Sequence, residues 1–71
     1  MPHELDSVEL IDDANGWPAG TPGTVVAVPE DGFVTVEISN NHVPDGTPLL
    51  ETLIDVPASA VTVTQPSREY A

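Results

Sequence analysis

Two imidazoles, four serines and a set of carboxylates are the side chains of this 71-residue chain that could do chemistry. His3 and His42 stand far apart, and neither has a cysteine or a second histidine at the spacing a zinc ion needs. His42 with Asp45 could hold a metal weakly or pair as acid and base, but two exposed loop histidines are the plainer reading. Ser7, Ser39, Ser59 and Ser67 lie in no nucleophile-elbow context, and no Ser/His/Asp order stands out. The stretch "DDANG", Asp12 to Gly16, resembles part of a calcium loop and fails its arithmetic. With Gly16 at the sharp-turn position, the first ligand would be Ile11 and the bidentate twelfth Pro22, neither of which carries a carboxylate. It reads instead as a turn in which Asn15 and Gly16 take positive φ. These residues predict no catalytic group, no metal and no cofactor, and so not an enzyme.

The carboxylates matter collectively. Twelve Asp and Glu stand against one Arg and no Lys, a formal net charge of −11. Such a surface keeps a chain in solution and costs compact-state stability through self-repulsion. It also disfavours nucleic-acid phosphates and anionic lipid, which need basic residues to displace their counterions. Electrostatics therefore points to basic proteins, or loosely held cations, as partners. The plain alternative is a solvated acidic surface that reflects its source. The chain has no cysteine, which suits a reducing compartment. "MPHELDSVEL" lacks the basic start and apolar run of a signal peptide, and no apolar stretch reaches the ~20 residues of a membrane span. The expectation is a soluble, cytoplasmic protein.

Trp17 is the side chain most suited to recognition. A large aromatic beside Pro18 in a long first loop could sit at a partner surface or fold over an open end of the core as a lid. With Asp12, Asp13 and the outward Glu37 it forms the expected partner-binding set: Trp17, Pro18, Asp12, Asp13 and Glu37. A polyproline groove would need several clustered aromatics, and the chain has only Trp17, Phe33 and Tyr70.

The elements that must position these residues are strands, because prolines at 18, 22, 29, 44, 48, 57 and 66 leave few windows for a helix. "SVELID", Ser7 to Asp12, puts Val8 and Leu10 on one face. "GTVVAVP", Gly23 to Pro29, is apolar on both faces, as suits a strand that bends and is covered on each side in turn. "EDG" closes a hairpin onto "FVTVEIS", Phe33 to Ser39, with Val34, Val36 and Ile38 inward. After the loop "NNHVPDGTP", the segment "LLETLIDV" reads as a fourth strand. Leu50, Thr52, Ile54 and Val56 share one face of it, with the inward phase left open by Leu49 and Leu53 opposite. "PASA" suits a single helical turn and "VTVT", Val61 to Thr64, a last strand. Gly16, Gly20, Gly23, Gly32 and Gly46 are assigned to structural turns, where a Cβ would clash or φ would be positive. The predicted architecture is all-β: a five-stranded, SH3-like, partly open barrel with one short helical turn before the last strand. Residues 1–6 form an N-terminal extension, 7–64 the barrel and 65–71 a flexible C-terminal tail.

The segments "VELID", "AGTPGTVVAV", "VTVEIS", "DGTPLLETLIDVPAS" and "VTVT" together resemble a small bacterial family of domains of unknown function with an SH3-like barrel. The Gly-x-x-Gly-Thr-Val segment is more distantly similar to KOW-type modules and to the barrel of nitrile hydratase β subunits. The resemblance implies a fold and no catalytic residues. It departs from KOW modules in lacking basic loops, since the one Arg, Arg68, lies in the tail.

The functional expectation is a non-catalytic interaction module, an accessory or adaptor domain that docks a protein partner through the first loop and an acidic face. One alternative is an antitoxin or immunity protein that covers the basic site of a toxin. Another is a weak metal-binding protein or enzyme. Oligomeric state is not legible.

Overall fold

The computed structural model of the chain describes residues 2–29 and 31–67. Among them the secondary structure is five strands and three short 3₁₀ turns. Strands β1 (Ser7–Leu10), β2 (Pro22–Ala27) and β3 (Phe33–Ile38) are followed by 3₁₀ turns at Asn40–His42 and Leu49–Thr52. Strand β4 (Leu53–Pro57), a third 3₁₀ turn at Ala58–Ala60 and β5 (Val61–Gln65) complete it. The strands form one sheet in the order β4-β3-β2-β1-β5, every pairing antiparallel. The sheet is not closed: β4 and β5 are its two edges.

Alternation builds the core. Val8 and Leu10 of β1, Val34, Val36 and Ile38 of β3, and Ile54 and Val56 of β4 are all buried, joined by Val25 and Val61. Most are β-branched, the residues that fit a pleated surface with least loss of side-chain freedom. Burial of each stabilises by about 2 kcal/mol relative to exposure. The register of β2 against β3 shifts between Val25 and Ala27, leaving Val26 as the extra residue of a bulge, a feature that bends a strand locally.

Three expectations need correction. The fourth strand does not start at Leu49, because Leu49–Thr52 coil into a 3₁₀ turn whose Glu51 N–H donates to the Pro48 carbonyl at 3.0 Å. Coiling removes the two-residue period, so Leu50 leaves the face it would share with Ile54 and is 82% exposed. Gly23 is not a turn residue. It lies inside β2 opposite Ile38, where an added Cβ would stand 2.6 Å from Val36 Cγ1 and 2.7 Å from the Glu37 carbonyl oxygen. Positive φ belongs to Gly16, Gly20, Gly32 and Gly46.

The folded body also reaches beyond residues 7–64. Leu5 N–H donates to the Val25 carbonyl at 2.6 Å, and Val25 N–H to that of Asp6 at 2.9 Å, so the residues before β1 continue its pairing with β2. Asp6, only 2% exposed, accepts the His3 N–H at 2.7 Å on Oδ2 and the Ser67 N–H at 2.6 Å on Oδ1. These two N–H groups, His3's first, hold its carboxyl below the ordinary value against the opposing effect of burial. One carboxylate thus ties the residues before β1 to those just after β5. Of the expected tail, Gln65 closes β5 and Ser67 is buried, while 68–71 lie outside the described residues.

Candidate functional site

The first loop is a second, smaller hairpin. Ala14 and Trp17 exchange N–H···O=C bonds at 2.8 Å each way, and the two residues between them, Asn15 and Gly16, have φ of 49° and 89°. Positive φ at both central positions is what a two-residue hairpin turn of the I′ kind demands, and Asn-Gly is the pair that meets it most easily. Asp13 Oδ1 accepts the Ala19 N–H at 2.8 Å, and Gly20 N–H donates to the Leu10 carbonyl at 2.8 Å, which fastens the loop to the end of β1.

This hairpin delivers Trp17 to the core. The half-buried indole packs against the valine cluster, and its Nε1–H donates to the Glu51 carbonyl at 3.0 Å across 34 positions of sequence. Glu51 offers that carbonyl because it sits in the 3₁₀ turn that displaced the expected strand. The preceding loop is set by a turn at Pro44, whose carbonyl accepts the Thr47 N–H at 3.2 Å and the Thr47 hydroxyl at 2.7 Å.

Between the two loops lies a groove of about 530 Å³, bounded by Asn15, Gly16 and Trp17 on one side, Pro44, Thr47, Leu50 and Glu51 on the other, and Leu53 and Ile54 of β4. Its walls mix apolar surface from Trp17, Pro44, Leu50, Leu53 and Ile54 with polar groups from Asn15, Thr47 and Glu51, the last its one ionisable side chain. Leu50 beside it is almost fully exposed, and Leu49 is 71% exposed.

The expected partner-binding residues divide. Trp17 lines the groove. Pro18 is exposed beside it without lining it. Glu37 is exposed on β3 directly across from Leu53, which places a carboxylate next to the groove's β4 wall. Asp12 and Asp13 are exposed at the root of the hairpin, outside the groove. Residues not anticipated are Leu50, Glu51, Pro44 and Thr47; the signal was the pair Leu49-Leu50, which breaks alternation. His42 and Asp45 make no hydrogen bond or ion pair with each other. No group of three or more potential metal ligands occurs among the described residues. No helix among them is long and apolar enough to cross a membrane.

Comparison with protein-family models, with curated proteins and with solved structures found no match for this chain.

Proposed function

We propose that the chain is a non-catalytic module that docks a basic protein partner, the Trp17 groove taking an apolar side chain of that partner. The observation that carries this reading is the groove itself. Two loops remote in sequence meet around an aromatic whose polar edge is already bonded, leaving its ring as contact surface beside an exposed leucine. A rigid aromatic with an apolar neighbour is the composition that dominates binding energy at protein interfaces. Charge selects the partner's sign: the body carries −11, and Glu51 and Glu37 bracket the groove's outer wall. The strand order β4-β3-β2-β1-β5, with a 3₁₀ turn leading into β5, supports an SH3-like, partly open barrel as the scaffold.

The test is recovery of bound protein from the native host with the unchanged chain and with Leu50→Asp as baits. A basic protein retained by the first and lost by the second, at unchanged melting temperature, is the expected result. Retention that ignores both Leu50→Asp and Trp17→Ala, or recovery of acidic proteins alone, would overturn the reading.

A further inference from the structure

The two edges of the sheet are guarded unequally. β4 carries Asp55, ends in Pro57 and is entered from the Leu49–Thr52 turn, all devices that discourage another strand from pairing with it. β5 reads Val-Thr-Val-Thr-Gln. No charged residue occurs between Asp55 and Arg68, in a chain otherwise crowded with acids. From Thr62 to Gln65 every residue of β5 is exposed, Val63 at 39%.

The hydrogen-bond phase of that edge follows from β1. Ile11 N–H donates to the Ala60 carbonyl at 2.8 Å, and the register continues through Leu10↔Val61, Glu9↔Thr62 and Val8↔Val63. In an antiparallel pair, bonded and non-bonded positions alternate, so Thr62 turns its backbone toward β1. The Val61 carbonyl and both backbone groups of Val63 then face outward. A register shift opposite Ser7 and Val8 ends the flat stretch after Val63.

We propose that this edge pairs with β5 of a second copy of the chain, antiparallel, about a two-fold axis at Thr62. Val-Thr-Val reads the same in both directions, so an antiparallel partner of identical sequence matches Thr62 with Thr62 and Val61 with Val63. Each Val63 N–H donates to the Val61 carbonyl of the other copy. Exposed Val63 lands beside the other copy's buried Val61 and extends the core face across the axis. Such an interface is isologous and closes on itself. Charge favours the second copy over a basic partner, because the edge offers a cation nothing to pair with. The rest of each body repels the other, so association strengthens as salt screens it. The proposal does not depend on the Trp17 groove.

Sedimentation equilibrium across a concentration series at about 0.1 M and about 0.5 M sodium chloride tests it, the higher salt shortening the screening length. The expected result is a monomer–dimer equilibrium that shifts toward dimer with salt. Val63→Pro deletes an N–H donor that the single copy leaves unused, so the circular dichroism of the fold persists while the dimer's Kd rises more than about tenfold. Val63→Lys, which leaves the backbone intact and charges the strand face, weakens the dimer likewise and decides the matter where the proline variant fails to fold. A chain that stays monomeric at high salt, leaving the edge to a strand of some other protein, overturns the proposal. A dimer untouched by the variants that fold does the same.

Discussion

The interior of the sheet is apolar and the groove beside it sets apolar side chains among polar ones, and the two are built by opposite means. The interior is made of β-branched residues on alternate positions of strands, each buried because its neighbours in sequence face the other way. The groove is made of Trp17, Pro44, Thr47, Leu50 and Glu51 held in loops and turns against Leu53 and Ile54 of β4, and its prominent residue, Leu50, is nearly all solvent-facing. Strand periodicity makes a closed core automatically. An apolar surface left open requires that periodicity be interrupted, as the turn at Leu49–Thr52 does.

Substitutions can sharpen or break that contrast. The largest effect is expected from Gly23→Val. Its Cβ would meet the Val36 side chain and the Glu37 carbonyl well inside contact distance, so overpacking should cost about 3 kcal/mol by denaturant unfolding. An unchanged midpoint would mean that β2 and β3 do not approach as described.

Asp6→Asn comes next. It places an amide where a buried carboxylate takes two backbone donors, and about 2 kcal/mol should be lost near neutral pH. The native carboxyl is held below its ordinary 3.8, so it contributes stability above that value and loses it as pH falls through the lower native pKa. The variant should therefore show a shallower fall in stability below about pH 4 in acid titrations followed by circular dichroism.

Leu50→Ala should leave stability within about 0.5 kcal/mol of the unchanged chain, since the side chain is exposed. Partner binding should nevertheless weaken. A loss of stability comparable to that of Gly23→Val would erase the distinction between core and groove. The smallest effect is a rise in melting temperature with sodium chloride at low protein concentration, as screening relieves repulsion among the acids. A fall instead would mean that local pairing outweighs repulsion.

Legibility followed the same division. The inward faces of β1 and β3 were readable because Val8, Leu10, Val34, Val36 and Ile38 sit two apart between polar residues. Apolar residues on both faces of β2 read as a strand that bends, and the register shift at Val26 lies within it. The groove was not readable, because it depends on an indole N–H finding a backbone carbonyl 34 residues away, and a carbonyl leaves no trace in residue type. The Asp6 tie was hidden for the same reason, both of its donors being main-chain N–H groups. A steric role for Gly23 is legible in its type, but its neighbours in sequence suggest a corner where the chain lies within β2 beside Glu37.

That Asp6 grips Ser67 also brings the two ends of the body side by side. A few added residues could join them into a ring, and fresh termini opened at the exposed Asp45-Gly46 turn would leave the strand pairings intact. For the same reason the whole unit could be spliced into a surface loop of a larger host, entering and leaving through one narrow neck.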